Sequence, residues 1–187
     1  QFNYLSLHQD VVAVGGQCDL IDSKGKITGI KRFPTSFVNV KNMMFYSIPL
    51  QQPSLMINRK KLPPQFEWYE LTFETAEEVE LLFKLFNIGE VHNLSEVILQ
   101  YRLHATNISL QNPKKTFFLT LNTRIKAIAK HRYKPSIKGV GITLAQTLVI
   151  TVLPSKLVFP VYSVLRGLKQ LSYDKATKLN ERLSFSS

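Results

Sequence analysis

The sequence predicts an α+β fold: an antiparallel β-sheet packed with two helix pairs, in a single domain with an N-terminal strand and loop extension. Three observations carry this expectation. Several stretches alternate apolar and polar residues with a period of two, among them 37–48, 66–74 and 142–152. A helical stripe follows a capping box at Thr75-Ala76-Glu77-Glu78. Finally, 187 residues, 44% hydrophobic and 20% charged, can bury one core and lack the composition of a disordered chain. The expected division is 1–65 as strands and a proline-rich loop packed on or extending from the core, and 66–187 as the α+β core itself.

Taken in order, Val11 to Val14 and Cys18 to Asp22 read as a strand pair or hairpin start. Ser23-Lys24-Gly25-Lys26 is the turn, because Gly25 can take a positive φ. From Phe37 to Ile48 the even positions are mostly apolar, a strand pattern. The four prolines between Pro49 and Pro64 then forbid regular structure, which leaves a long loop holding Leu55, Met56 and Ile57 beside Arg59, Lys60 and Lys61. Phe66 to Glu74 alternates again, with Tyr69, Leu71 and Phe73 on one face. After the capping box, Val79, Leu82, Phe83 and Phe86 fall at helical spacing and Gly89 stops the helix. Asn93 with Glu96 repeats the cap logic ahead of a second stripe, Leu94, Val97, Ile98 and Tyr101.

Thr116 to Arg132 reads as a strand with Leu119, Leu121, Ile125 and Ala127 on one face. The other parity holds Arg124, Lys126, Lys130, Arg132 and Lys134. As an extended strand this is a ladder of cations about 6.7 Å apart, a spacing comparable to that of successive phosphates or headgroups. Ile142, Leu144, Leu148, Ile150 and Val152 alternate with Thr143, Thr147 and Thr151 and read as a further strand. Pro160 suits the first turn of a helix carrying Val161, Val164, Leu165 and Leu168, and Asp174 can cap a last one.

Charge divides the chain. Residues 1–96 hold 9 basic and 11 acidic side chains, whereas 97–173 hold 12 basic and no acidic ones, so the net +11 resides in the second half. Lys114, Lys115 and Lys138 extend the cation ladder into a polyanion-binding surface for nucleic acid, an anionic membrane or an acidic protein. The competing reading is an edge strand protected by its charges. Glu67, Glu70, Glu74, Glu77, Glu78 and Glu80 form an acidic counterpart. A self-association contact follows, in which Leu55, Met56 and Ile57 insert into a neighbouring copy while Arg59, Lys60 and Lys61 meet its Glu70, Glu74 and Glu77. Folding of the tripeptide back over its own domain is the alternative.

Other classes are disfavoured. A single cysteine, Cys18, allows no internal disulfide and no Cys-rich zinc site, which points to a reducing setting. The four histidines lack metal-ligand spacing, so no cofactor or metal is expected, and no nucleophile–base pair or carboxylate dyad can be nominated. Gly139-Val140-Gly141 beside Lys138 is too short for a phosphate-binding loop. The apolar run 139–165 is broken by Pro154 and Pro160, short of the roughly 20 residues a membrane span needs. An opening on Gln1 suggests a portion of a longer protein.

The expected order from Phe66 is strand, helix, helix, strand, strand, helix, helix, with Pro135 to Gly141 as the turn between the sheet strands. Over residues 66–183 this architecture resembles the matrix proteins of rhabdoviruses, as a divergent member from a plant or arthropod virus. The proline-rich late-domain peptides of some members are absent. The resemblance implies a non-enzymatic structural protein that self-associates into a lattice or filament. It further implies binding to the anionic inner leaflet and to the viral nucleoprotein–RNA complex, with an envelope glycoprotein tail as a further partner. Its locations would be the virion, the host cytoplasm, the inner face of host membranes and the nucleus. A protein touching RNA directly, of movement or ribosome-associated type, is the runner-up, with Tyr101, Phe118 and Tyr133 available for base stacking; an adaptor for an acidic protein is third.

Overall fold

The structure, a computed structural model, describes residues 1–69, 77–102, 113–154 and 169–170. The fold is α+β, as the sequence predicts. Its elements are α1 (Phe2–Leu7), β1 (Val11–Ile21), β2 (Ile27–Lys31), α2 (Phe37–Met43), β3 (Met56–Ile57), α3 (Glu77–Phe86), β4 (Glu90–Arg102), α4 (Pro113–Lys130), α5 (Ile137–Val152) and β5 (Lys169–Gln170).

β1 is the centre of the sheet, and all eleven of its residues are buried. It is one continuous strand rather than a pair. Its two glycines are required by close neighbours: a Cβ on Gly15 would lie 2.5 Å from Asn93 Oδ1, and one on Gly16 2.6 Å from Ile98 Cδ1. β2 returns antiparallel through the expected turn, where Gly25 has φ +85°. β3 pairs antiparallel with Ala13 and Val14, and β5 adds to β2 at Gly29 and Ile30. Against the other edge of β1 runs β4, in parallel. The sheet is therefore antiparallel apart from this pair, and it is mixed overall.

Four regions adopt a different element from the one the sequence suggests, each for a local reason. The segment expected as a second helix from Leu94 is the strand β4. Gly15 pairs with Asn93 and Gln17 with Val97, so β4 spends four residues where β1 spends two. The residues of the expected stripe consequently share no single face: Val97 is 44% exposed, whereas Leu94 and Tyr101 pack against two separate buried clusters. The expected strand over 37–48 contains α2, which buries Val40 and Met44 one turn apart. The cationic strand over 116–132 is α4. Its buried positions Phe117, Thr120, Thr123, Arg124 and Ala127 follow a 3.6-residue period, and the Thr120 and Thr123 hydroxyls donate back to the carbonyls of Thr116 and Leu119. The threonine-rich strand at 142–152 is α5, where Thr143, Thr147 and Thr151 do the same to the carbonyl four residues earlier. β-branched residues lower helix propensity only slightly, and tertiary packing overrides that preference.

α3 is central. Val79, Leu81, Leu82, Phe83 and Leu85 are buried, which is how a core helix surrounded by protein reads. They join Val12, Ala13, Val40, Met44, Phe45, Leu50, Val91, Ala127 and Tyr133 in one cluster. The boundary expected after residue 65 thus separates no independent core, since 1–65 supplies the central strand. Gly89 ends the α3 turn with its would-be Cβ 2.8 Å from the Asp10 carbonyl, a close approach rather than a left-handed φ. Phe66 and Trp68 pack edge to face on the main core, outside any strand. Thr75 of the capping box, Glu70, Glu74 and the expected C-terminal helices lie outside the described residues, β5 excepted.

Candidate interaction surface

α5 is built inside out. Its inward face is Gly139, Thr143, Gln146 and Ile150, spaced four, three and four residues apart. Gly139 packs on the α2 segment, where a Cβ would make ordinary contact with Phe45 Cβ at 3.5 Å and the Asn42 carbonyl at 3.6 Å and would crowd only the Ser136 hydroxyl, at 3.1 Å. Thr143 Oγ1 lies 3.1 Å from the Phe45 carbonyl and 2.9 Å from the Gly139 carbonyl, so its single proton is shared between the contact and the helix. With polar and small residues turned inward, the apolar ones face out. Ile137 is 93% exposed, Leu144 65%, Leu148 68% and Val152 75%. At about 100° per residue, Ile137, Leu144 and Leu148 fall within about 40° of arc. Exposed apolar residues scattered singly need no explanation, but a stripe of this length along one helix marks a contact surface. Among the described residues no helix is long and apolar enough to cross a membrane.

α4 carries a second, narrower stripe of exposed Phe118, Ile125 and Ile128. Beside it on the helix surface lie Lys115 and Lys126, both exposed and eleven residues apart, and therefore on one face. The helix ends with Arg132 in the left-handed region at φ 52°, while the N–H groups of His131 and Tyr133 both donate to the Ala127 carbonyl. The helix thus stops on an arginine in the left-handed conformation where glycine is customary. Lys134 and Lys138 are exposed just beyond it.

The expected cation ladder is therefore dispersed in part. Lys115, Lys126, Arg132, Lys134 and Lys138 are exposed, and Lys114 is half-buried. Arg124 is 3% exposed, so it cannot face a polyanion. Lys130 reaches Glu80 at 2.9 Å, with the charge of Glu80 shared by His131 Nε2 at 2.8 Å. Glu80 is buried, and burial alone raises its pKa. The hydrogen bonds and charges of Lys130 and His131 outweigh that effect and hold it below its usual value. The cluster ties α3 to the end of α4. Tyr133 is also removed from any stacking role: it is buried between Phe83 and Phe45, its hydroxyl donates to the Lys41 carbonyl at 2.7 Å, and burial raises its pKa to about 12.

The expected self-association segment joins the sheet it was thought unable to enter. Two residues of extended chain fit between turns of 3₁₀ helix, and β3 pairs Met56 with Val14 and Ile57 with Ala13. Leu55 and Ile57 pack against the main core, leaving Met56 as the exposed member. Arg59 and Lys60 are exposed, Lys61 donates to the Gln9 carbonyl, and Glu77 is exposed.

One further polar array lies at the opposite edge of the sheet. Tyr4 Oη meets His92 Nδ1 at 2.9 Å, His92 Nε2 meets Glu90 Oε2 at 2.7 Å, and Tyr4 stacks on His8 at 3.9 Å. A hydroxyl–imidazole–carboxylate chain can move a proton. Here it fastens α1 to β4 beside a shallow hollow of about 500 Å³. Among the described residues no group of three or more His, Cys, Asp or Glu converges as a metal site.

The apolar stripe of α5 was missed because its residues were assigned to a strand's buried face. The four-three-four spacing of Gly139, Thr143, Gln146 and Ile150 was the signal available. Comparison with protein-family models, with curated proteins and with solved structures finds no match to this chain.

Proposed function

We propose that the chain is a non-enzymatic structural attachment protein of the matrix kind, which lies on an anionic membrane surface through the outer face of α5. The observation that carries this reading is the outer face of the helix: Ile137, Leu144, Leu148 and Val152 are exposed, while the buried positions are Gly139, Thr143, Gln146 and one large apolar residue, Ile150. Charge selects the surface. Residues 113–154 contain eight Lys and Arg and no Asp or Glu, and exposed Lys115, Lys126, Lys134 and Lys138 accompany the two apolar stripes. Shallow apolar insertion combined with basic flanks is how helices too short to span attach to anionic bilayers. The element order behind the architectural resemblance is not the one observed, since 90–102 is a strand and 113–130 and 137–152 are helices, so bridging to a nucleoprotein–RNA complex and to a glycoprotein tail has no support from the fold.

Co-sedimentation of the purified chain with neutral and anionic vesicles tests the reading, alongside an RNA mobility shift and sedimentation velocity. Binding to anionic vesicles that weakens with salt but leaves a salt-resistant remainder is the expected result. Binding to RNA with no preference for anionic vesicles would replace it with the RNA-binding alternative. Burial of Tyr133 weighs against that alternative.

A further inference from the structure

A cleft of about 390 Å³ opens where the first turn of α5 meets α2. Its polar lining is Asn39, Asn42, Tyr46, Ser136 and Lys138, with Pro34 and Met43 as apolar wall, and it contains no carboxylate. Two amides, a phenol, a hydroxyl and an ammonium can all donate hydrogen bonds. Ser136 Oγ accepts from the Gly139 N–H at 3.1 Å, which leaves its proton to donate elsewhere. The packing of α5 on the α2 segment brings Ser136 and Lys138 beside Asn39 and Asn42 in one lining. Between the two lining residues Ser136 and Lys138 stands Ile137, at 93% the most exposed large apolar side chain among the described residues.

We propose that this cleft binds a phosphate group, presented by an anionic lipid headgroup, while Ile137 enters the bilayer beside it. An acid-free set of donors next to a projecting apolar side chain fits an amphiphile whose charge and hydrocarbon are a few atoms apart. This rests on the membrane reading for the source of the phosphate, though the cleft's preference for phosphate does not. Neutral donors give the site a specificity that diffuse attraction by surface lysines lacks, because hydrogen bonds to a charged oxygen need fixed geometry.

The test uses the full chain and phosphatidylcholine vesicles containing phosphatidylserine. Asn39→Ala with Asn42→Ala leaves the net charge unchanged and places two exposed alanines in or beside a helix, a change that favours folding. It should weaken vesicle binding about tenfold with no change in salt dependence. Lys126→Gln, which removes a charge remote from the cleft, should lower the salt dependence and spare that specificity. In parallel, inorganic phosphate titrated into the wild type should move the Asn39 and Asn42 side-chain amide resonances saturably. If those resonances respond but the vesicles do not bind, the phosphate is a soluble one; the cleft assignment then stands and the membrane reading fails. If the vesicles bind, the double variant matches the wild type and the amide resonances stay still, the cleft is overturned while the membrane reading survives. Silence of both probes overturns both.

Discussion

Replacing Leu144 and Leu148 together by Gln separates a contact surface from a misread core. In the fold described here these side chains are 65% and 68% exposed, so about two-thirds of each remains to be buried by a partner. Full burial of a leucine is worth about 1.5–3 kcal/mol, which leaves about 1–2 kcal/mol per residue and about 2–4 kcal/mol for the pair. At about 1.4 kcal/mol per factor of ten, partition onto anionic vesicles should fall by about 30- to 1,000-fold. Glutamine and leucine have similar helix propensities, and an exposed substitution ordinarily shifts stability by less than about 0.5 kcal/mol. The melting temperature should therefore hold. The assay pairs vesicle co-sedimentation with thermal unfolding of the same samples. A loss of more than about 2 kcal/mol of stability would mean that the stripe is covered within the chain, and unchanged vesicle binding would mean that it faces something other than lipid. Either result would refute the reasoning.

Other outcomes follow from the site geometry. Glu80→Gln should lower stability by about 1–3 kcal/mol, chiefly through His131, since Lys130 is 45% exposed and can turn to water. Because the folded pKa of Glu80 lies below its ordinary value of 4.5, its contribution is present above that pH and lost as the pH falls through the lower folded value. Acid unfolding curves of the Gln variant should lack that component. Tyr133, raised from 10.0 to about 12, acts in the opposite sense: its contribution is complete below pH 10 and declines by about 1.4 kcal/mol per pH unit toward 12, and urea titrations of Tyr133→Phe should be flat over that window. Arg132→Gly should raise stability by about 1 kcal/mol, because glycine takes φ 52° without steric cost, while removing one exposed cation from vesicle binding. A loss of stability in that variant would show that the arginine side chain holds the stop.

By itself the sequence determined the features that depend on local chemistry or on counting. The α+β class, the Gly25 turn and the α3 core stripe are of this kind. So is the concentration of positive charge in the second half. The turn follows from a glycine's permitted φ and the charge division from a sum, neither of which a distant neighbour overturns, while the α3 stripe agrees with the packing that surrounds it.

Tertiary structure decided which period each ambiguous segment obeys. Positions 142–152 satisfy a strand's alternation and a helix's four-three-four spacing at once. The choice fell to the helix where Gly139 and Thr143 fit against Phe45, a contact across about a hundred residues of sequence. β4 shows the converse, since a segment whose apolar residues have helical spacing becomes a strand once β1, distant in sequence, pairs with it along its length. The same decision reversed the meaning of the side chains. As a strand, Leu144 and Leu148 would have been core; as a helix whose inward face is glycine, threonine and glutamine, they are the surface. Arg124 made the opposite passage, from rung of a cation ladder to buried helix position, because a residue's face is set by its element's period and the period is set by what the element packs against.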